Sequence, residues 1–592
     1  MAHASAFSCC STVVDFETVV QTNSPNSPKN TNAYGYDNGG NLNSLADENG
    51  HTTLNAFDLL YNLTSKTLPD GSLTETRSYD AAGNLVSLTH FNGVTTTFTY
   101  DSLNRLLSRA TPGETTVSFT YTATGKYATS TDASGTTTYS YDSMDRLVTK
   151  ATPEGTLNYT FDAAGHVATI ASSNTNGASV SYTYDDLNRL STVVDDRLAS
   201  GANTTTYAYD PANNLATATY PNGLQSAFTY DSLNRVTSLV TPVSGYSYQL
   251  DSTGKRTQAV EVTGRTINWS YDGINRLTQE TIADAPGSKN GTVTYSLDPV
   301  GNRLSDTSSL SGVTPETASF NADDELSSET YDSNGNTLST GGKTFTYDAE
   351  NHLTSMSASG TTVSIVYDAF GNRVSKTVNG VTTKYLVEDD VNPTGYPQVM
   401  EEVVSGSVQR TYTYGLQRIT QDQLISSTWT PSFYGYDGGG SVRQLTNSAG
   451  TVTDTYDYDA FGNEVNHTGS TPNNYLYRGE QYDSDLGLYY LRARYYNPVT
   501  GRFLSRDPEG GKPIDPKTLH KYLYADGEPV NGIDPTGRDD AADYTSIIGN
   551  EDWKTQLELR ATAHVVNKIL ECISIMLIIG YPQSFIDTYC WE

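Results

Sequence analysis

Polar and apolar residues alternate along most of this chain, in short runs separated by turn-forming residues. The stretch TTFTYDSLNRLLSRATPGETTVSFTY (residues 96–121) is representative. An alternating run ends at Tyr100, a turn is predicted over Asp101–Arg105, alternation resumes, and Pro112-Gly113 supplies a second turn. Alternation with a period of two between clusters of Gly, Asn, Asp and Pro is typical of β-hairpins. The pattern predicts an all-β fold for the greater part of the chain.

The same hairpin unit recurs along the chain, marked each time by a tyrosine followed by an aspartate. Spacings are mostly 20 to 25 residues, or 41 where one unit is degenerate, and such a period indicates a stacked repeat architecture. A single hairpin cannot bury its own apolar face, so the units are predicted to stack into one curved sheet. The aspartate suits the start of a turn, and the tyrosine ring is expected to pack at a regular height. The structural repeat tyrosines are Tyr36, Tyr79, Tyr100, Tyr141, Tyr184, Tyr209, Tyr230, Tyr271, Tyr331, Tyr347, Tyr367, Tyr436 and Tyr458.

Neither end of the chain follows this period. Residues 1–33 are predicted to form an irregular lead-in. In residues 538–592, Asn550 followed by two acidic residues has the pattern of a helix start, and the residues after it form a broad apolar face. The apolar run in this tail is only about a dozen residues long, so a buried helix is favoured over a membrane span. The tail is therefore predicted to be mainly α-helical.

Charge and composition exclude several classes of function. The chain has 36 Lys+Arg and 67 Asp+Glu, and its formal net charge of -31 repels phosphate backbones, so nucleic-acid binding by the repeats is not expected. Four cysteines, Cys9, Cys10, Cys572 and Cys590, lack metal-ligand spacing. The last two are compatible with a disulfide or with two free thiols. No phosphate-binding loop or dinucleotide glycine pattern occurs, so neither a cofactor nor a metal is expected.

The YDxxGNL…YDxxNRL array resembles the YD repeats of the Rhs family, over roughly residues 34–537. That family includes bacterial rearrangement-hotspot proteins, C subunits of insecticidal toxin complexes and wall-associated contact-inhibition proteins. The resemblance implies a large hollow β-shell around a cargo, here at least a partial shell. It divides the chain into the lead-in, a repeat array over 34–470, a repeat-associated core over 471–537 and a variable tail over 538–592.

The core region resembles the Rhs core signature most closely in YRGEQYDSDLGLYYLRARYYNPVTGRFLSRDP, residues 477–508. Its tyrosines and leucines form an aromatic-aliphatic block. We expect this block to plug the last turn of the sheet and hide its edge. Arg492, Arg494 and Arg502 lie among the aromatic residues, where both cation–π stacking and pairing with carboxylates are expected.

Two Asp-Pro-x-Gly units, at Asp507 and Asp534, carry the candidate chemistry. Each has the sequence of a type I turn, and a purely structural role is one interpretation. The resemblance implies the other, in which the two aspartates form a catalytic dyad that cuts the chain at or just after Gly537-Arg538. Two close carboxylates share a proton, so one can activate water while the other protonates the leaving group. Arg506 is then expected to polarise a carbonyl or to tune Asp507.

The sequence departs from the family pattern in two places near this candidate site. Arg538 stands where the family usually has leucine, and the segment between the two Asp-Pro-x-Gly units is longer than usual and contains an extra Asp515-Pro516. A longer linker has room to misplace the dyad. Self-cleavage and a role in turns alone therefore both remain open at this point.

The resemblance implies a scaffold that encloses and delivers a C-terminal effector. The alternative is a secreted or cell-surface binding or structural protein without catalytic activity, recognising carbohydrate or another cell. The partners implied are a shell-closing subunit like the toxin-complex B subunit or a secretion spike, and an immunity protein for the tail. The first residues lack the basic and apolar segments of a secretory signal peptide, so secretion or surface display by another route is expected.

Overall fold

The computed structural model of the protein describes residues 17–21, 30–285, 289–511 and 516–538. The described residues are nearly all β-strand and loop, which confirms the predicted all-β class. The predicted tail helix and all four cysteines lie outside the described residues. Within the predicted irregular lead-in, Glu17–Gln21 forms a strand that pairs with Asn30–Tyr34 of the next strand.

The strands form three sheets, and in each sheet every strand pairs antiparallel with the next one in sequence. The first sheet has 27 strands, bounded as follows: β1 Glu17–Gln21, β2 Asn30–Tyr36, β3 Leu42–Ala46, β4 Thr52–Phe57, β5 Leu63–Thr67, β6 Thr74–Tyr79, β7 Leu85–Thr89, β8 Thr95–Tyr100, β9 Leu106–Ala110, β10 Val117–Tyr121, β11 Tyr127–Thr131, β12 Thr136–Tyr141, β13 Leu147–Thr152, β14 Gly155–Phe161, β15 Val167–Ser172, β16 Ser179–Tyr184, β17 Leu190–Asp195, β18 Thr204–Tyr209, β19 Leu215–Thr219, β20 Gln225–Tyr230, β21 Val236–Val240, β22 Gly245–Leu250, β23 Arg256–Glu261, β24 Thr266–Tyr271, β25 Leu277–Ala283, β26 Gly291–Leu297 and β27 Arg303–Ser308.

The second sheet has 14 strands, bounded as follows: β28 Thr330–Tyr331, β29 Thr337–Thr340, β30 Lys343–Tyr347, β31 Leu353–Ala358, β32 Thr361–Tyr367, β33 Arg373–Val378, β34 Val381–Glu388, β35 Gln398–Val404, β36 Ser407–Tyr414, β37 Arg418–Ile425, β38 Thr428–Tyr436, β39 Val442–Thr446, β40 Val452–Tyr458 and β41 Glu464–Thr468. The third is a small sheet of β42 Gln481–Asp483, β43 Leu488–Leu491, β44 Arg494–Asn497 and β45 Arg502–Phe503. Short 3-10 helices cover Tyr477–Gly479, Pro516–Leu519 and Ala525–Gly527. None of the helices in the described ranges has the length and hydropathy needed to cross a bilayer.

The repeat turns have the aspartate-centred geometry that the sequence predicts. In the turn after β8, one oxygen of the Asp101 carboxylate accepts the backbone N–H groups of Leu103 and Arg105 at 2.8 and 3.0 Å. The other oxygen accepts Arg105 Nε at 2.7 Å. Asn104 has a φ of +59°, a left-handed conformation that asparagine tolerates better than most residues. The Asp and Asn of each unit are therefore explained by turn geometry.

The repeat tyrosines tie each hairpin to the one before it. The hydroxyl of Tyr100 donates to the carbonyl of Leu85 at 3.0 Å, fifteen residues earlier, and Tyr230 donates in the same way to Leu215 at 2.9 Å. The arginine of an Asn-Arg turn stacks on the next aromatic ring, as Arg105 does on Tyr121 at 4.4 Å. These contacts link consecutive hairpins. They also explain why the period of the tyrosines is so regular.

The small third sheet packs between the two large ones, as the predicted plug would. Tyr489 and Tyr496 belong to a core cluster that also contains residues of β14–β17 and of β35–β40. Tyr490 and Tyr495 pack instead against β30–β32. The Leu504 carbonyl accepts the backbone N–H of Thr337 at 2.8 Å, so the core also bonds to an early strand of the second sheet.

Candidate functional site

The two predicted aspartates meet at one arginine, Arg494, on strand β44. Arg494 Nη2 lies 2.8 Å from Asp507 Oδ2 and 3.3 Å from Asp534 Oδ2. The arginine is almost fully buried, as is Asp534, and its guanidinium also covers the Phe503 ring at 3.6 Å from the centroid. This packing fixes the position of the guanidinium, and both carboxylates lie within ion-pair distance of its Nη2 atom. The structure therefore brings the two predicted aspartates together.

The peptide bond between Gly537 and Arg538 lies against this group. Its carbonyl oxygen accepts Arg494 Nε at 2.5 Å, and its N–H donates to Asp534 Oδ1 at 3.1 Å. A single guanidinium therefore contacts the carbonyl of the predicted scissile bond and both carboxylates. Asp534 therefore accepts a hydrogen bond from the Arg538 nitrogen, which would be the leaving group if this bond were cut.

Backbone contacts hold residues 536–537, next to the predicted scissile bond, against the loop between β43 and β44. The Ala493 N–H donates to the Thr536 carbonyl at 3.1 Å. Gly537 has a φ of +67°, and a Cβ at this position would lie 2.3 Å from the Leu491 carbonyl oxygen. Only glycine fits so close to the loop in this conformation, because a side chain would clash and the backbone would be strained. The glycine of the second Asp-Pro-x-Gly unit thus positions the bond as well as completing a turn.

Burial raises the pKa values of both aspartates above the usual value for this residue. It raises the pKa of Asp507 to about 7 and the pKa of Asp534 to about 6, against the opposing effect of the Arg494 charge. The Asp534 charge raises the pKa of Asp507 further. At a pH between these values the pair carries about one proton, which is the state needed for one base and one acid.

The turn interpretation of the Asp-Pro-x-Gly units also fits the structure. Asp507 Oδ1 accepts the Glu509 N–H at 2.8 Å, and Asp534 Oδ1 accepts from the Thr536 hydroxyl at 3.3 Å. In each aspartate, one oxygen bonds within its own turn while the other faces Arg494. A role in turns and a role as a dyad are therefore compatible.

Arg506 lies away from the dyad. Its guanidinium faces Glu325, at 3.5 Å, and the Phe91 ring, at 5.4 Å from the centroid. Successive side chains of an extended chain point to opposite sides, so when Asp507 faces Arg494 its neighbour faces the other way. The position predicted for Arg506 is occupied by Arg494. From the sequence, Arg494 is only one of three core arginines expected to stack or to pair.

The other two arginines of that group do not contact the two aspartates in the described structure, although Arg492 donates to the Pro535 carbonyl in the second Asp-Pro-x-Gly unit. Arg492 lies 4.5 Å from the Tyr396 ring centroid and 3.0 Å from Glu480. Arg502 covers the Phe320 ring at 4.7 Å and donates to Asn302 at 2.6 Å. No signal in the sequence separates Arg494 from them, because its role depends on which side of a two-residue hairpin loop faces residues 534–537.

One group of side chains in the described part of the chain has the spacing of metal ligands. Asp47, His51 and Asp324 place potential ligand atoms within 4.8 Å of one another. The Lys521 ammonium lies 3.3 Å from Asp324 and already neutralises that carboxylate. The group is thus poorly suited to a cation, and the chemistry of the dyad does not require one.

Comparison with known proteins identifies the same architecture. The sequence model of the Teneurin YD-shell family matches residues 56–199, 129–255 and 253–530. The tRNA nuclease WapA of Bacillus subtilis is 37% identical over 280 residues, which are 45% of this chain and 12% of WapA. The toxin protein Tse5 of Pseudomonas aeruginosa is 43% identical over 63 residues, which are 10% of this chain and 4% of Tse5.

A crystal structure of TcdB2-TccC3 shares the fold with a TM-score of 0.74 and 18% identity, over 89% of this chain and 32% of that one. The chain therefore spans only a small part of the length of these proteins. The family model alone extends over most of the repeats and almost all of the core region. On that match, together with the repeat turns, the stacked hairpins and the internal plug, this chain belongs to the Teneurin YD-shell family.

Proposed function

We propose that this YD-shell scaffold cuts its own chain between Gly537 and Arg538 and so releases the segment that follows. The observation that carries the proposal is the position of Arg494, which contacts the scissile carbonyl and both aspartates at once. A turn alone needs no such arrangement. It would be satisfied by the hydrogen bonds that each aspartate makes within its own turn.

Each group has a role in the proposed hydrolysis. Asp534 has the lower pKa of the pair and accepts hydrogen bonds from the Arg538 N–H, the Thr536 hydroxyl and Arg494, so it acts as the carboxylate. It takes a proton from water, and the water oxygen bonds to the Gly537 carbonyl carbon. Negative charge develops on the Gly537 oxygen, where Arg494 Nε–H already donates. Asp507 has the higher pKa, carries the proton of the pair and gives it to the Arg538 nitrogen as the C–N bond breaks. The products are a Gly537 carboxylate and an Arg538 amine, and the proton held by the dyad has moved from Asp507 to Asp534.

The released segment is proposed to be an effector held within the shell. Its position after the core, and the naming of two relatives as a nuclease and a toxin, support this assignment. The fold shared with TccC3 in a structure that also contains TcdB2 supports a shell-closing partner of that type. Secretion or surface display, and an immunity protein for the effector, follow from the same proposal.

Carbohydrate recognition by the repeat tyrosines receives less support from the geometry. The hydroxyls that repeat most regularly, such as those of Tyr79 and Tyr367, donate to backbone carbonyls of the preceding hairpin. Their rings pack within the sheet and do not form an open stacking surface. We therefore do not propose a second function.

The test is the intact mass of the purified chain beside two variants, Asp507→Asn and Asp534→Asn. The wild type is expected to give two fragments, the second beginning at Arg538, while both variants remain at 64.1 kDa. Asp515→Asn is the matched control, because it changes an aspartate that also precedes proline in the core region. It should be cleaved like the wild type.

Fragment masses also separate self-cleavage from simple acid hydrolysis at Asp-Pro bonds. Acid hydrolysis would place the ends at Pro211, Pro299, Pro508, Pro516 or Pro535 instead of Arg538. A wild-type chain that stays whole under native conditions would leave the two Asp-Pro-x-Gly units as turns and would refute the proposal.

A further inference from the structure

Three consecutive residues of the loop between β43 and β44 donate hydrogen bonds to three consecutive carbonyls on the amino side of the predicted scissile bond. The pairs are the Arg492 guanidinium with Pro535, the Ala493 N–H with Thr536 and the Arg494 guanidinium with Gly537. Neighbouring residues along a chain lie about 3.8 Å apart. A shift of the segment by one residue would therefore move each carbonyl away from its donor and bring a different peptide bond to the dyad.

Arg492 is anchored to the second sheet and to the core as well as to this segment. Its Nε donates to the Pro397 carbonyl at 3.0 Å, and its Nη1 lies 3.0 Å from the Glu480 carboxylate. The guanidinium also covers the Tyr396 ring, at 4.5 Å from the centroid. Tyr396 and Pro397 directly precede β35. The guanidinium that holds the Pro535 carbonyl is thus fixed on three other sides.

The backbone of Arg492 has an uncommon conformation. Its φ is +61°, in the left-handed region that few residues other than glycine, asparagine and aspartate adopt. Such angles are concentrated at functional sites, where the surrounding contacts enforce them. Here the conformation places the Arg492 side chain and the Ala493 N–H on the same segment, residues 535–536.

The two sides of the scissile bond differ in how closely they are held. Pro535 and Gly537 are buried, whereas Arg538 is exposed. The Arg538 guanidinium lies 3.4 Å from the carboxylate of Glu509, which is exposed as well. The position of the bond therefore depends on the contacts that the loop makes with residues 535–537.

We infer that Arg492 is a positioning residue for the proposed self-cleavage, and that its contact with the Pro535 carbonyl holds the Gly537–Arg538 bond against the two aspartates. Arg494 acts on the carbonyl where charge develops, whereas Arg492 contacts neither aspartate in the described structure and acts through the placement of the segment. The inference rests on the proposed function and adds a residue that sets the position of the cut.

The alternative role for Arg492 is to neutralise Glu480, which is buried beside it. Arg492→Met together with Glu480→Gln separates the two roles, because it leaves no unpaired charge but removes every donor that reaches Pro535. A misplacement of about 1 Å can slow a reaction about 100-fold, so this double variant should cleave about 10- to 100-fold more slowly than the wild type. The rate is followed from the uncut chain after cell-free synthesis. A folded double variant that cleaves at the wild-type rate would overturn the inference.

Arg410 and Glu402 supply the matched control. This pair is buried to a similar degree, its charged groups lie 3.2 Å apart, and it does not contact residues 534–538 in the part of the chain that the structure describes. Arg410→Met together with Glu402→Gln should cleave at the wild-type rate, and resistance to a protease checks that each variant is folded. Equal slowing of both double variants would also overturn the inference, because the effect would then come from the loss of any buried ion pair.

An ester in place of the peptide bond between Pro535 and Thr536 tests the contact without a change at Arg492. The α-hydroxy acid that corresponds to threonine is incorporated by nonsense suppression during the synthesis, and it makes the Pro535 carbonyl a weaker acceptor. The ester should slow cleavage of the otherwise unmodified chain but should not slow the Arg492→Met, Glu480→Gln chain further. Additive losses, or an ester-containing chain that cleaves at the wild-type rate, would contradict the inference. Hydrolysis of the ester itself is recognised by its mass, because that fragment begins at residue 536.

The outcome for Arg492 is distinguishable from the outcome for self-cleavage. A wild-type chain that stays whole refutes the proposed function and this inference with it. A wild-type chain that cleaves no faster than the Arg492→Met, Glu480→Gln chain overturns the role of Arg492 alone.

Discussion

Replacing Arg494 by lysine or by glutamine separates its charge from its shape. Lysine keeps a positive charge near Asp507 and Asp534, but a single ammonium cannot replace the fork that also reaches the Gly537 oxygen. Glutamine removes the charge as well. The two variants are therefore expected to lose different amounts of cleavage activity.

Arg494 donates to the carbonyl oxygen on which charge develops, and removal of one such donor typically costs about 100- to 1000-fold in rate. Arg494→Lys should thus cleave about 100-fold or more slowly than the wild type, with a similar pH dependence. In Arg494→Gln the opposing charge is gone, and the pKa values of both aspartates should rise further. Its residual cleavage should be slower and displaced to higher pH. Breaking a buried ion pair also costs about 3 to 5 kcal/mol, so this variant should be the less stable one.

Cell-free synthesis is the suitable assay, because cleavage during expression would hide the rate. The full-length chain and its two fragments are followed over time after synthesis is stopped, and folding is checked by resistance to a protease. Arg502→Lys is the matched control, since Arg502 is a buried arginine of the same core that does not contact the dyad within the described structure. Wild-type cleavage by a folded Arg494→Lys chain would refute the role given to the guanidinium.

Three further predictions test the site and the repeats. In a pH series, the cleavage rate should be highest between about pH 6 and 7 and fall on both sides. Above the pKa of Asp507 both groups are charged, and below the pKa of Asp534 both are protonated. A rate that still rises at pH 9 would contradict this. Gly537→Ala should abolish cleavage on intact-mass analysis, since its Cβ would meet the Leu491 carbonyl at 2.3 Å, and wild-type cutting would show that the segment is not held there. Tyr100→Phe should lower the free energy of unfolding in urea by about 1 kcal/mol through loss of the bond to Leu85, whereas Tyr61→Phe, at an exposed tyrosine, should change nothing measurable.

The repeats were predictable from the sequence because their interactions are local. The turn at Asp101 is set by residues within four positions, and the Tyr100 hydroxyl bonds fifteen residues back. The candidate site depends instead on pairing between distant segments. Asp507 and Asp534 came from the resemblance to a known family. Arg494 could not be singled out, because its neighbours in the sequence are other arginines and tyrosines with the same local pattern.

The long linker between the two Asp-Pro-x-Gly units makes contacts that explain how the site forms despite its length. Much of it packs against the shell: the Tyr522 hydroxyl donates to the Gly335 carbonyl at 2.8 Å, and the amide oxygen of Asn531 accepts the Arg256 N–H at 3.0 Å. Gly335 belongs to a turn of the second sheet, and Arg256 begins a strand of the first. The linker that brings Asp534 to Arg494 is therefore bound to both large sheets. Self-cleavage would then depend on the folding of both sheets, because the segment that joins the two aspartates is anchored on each of them.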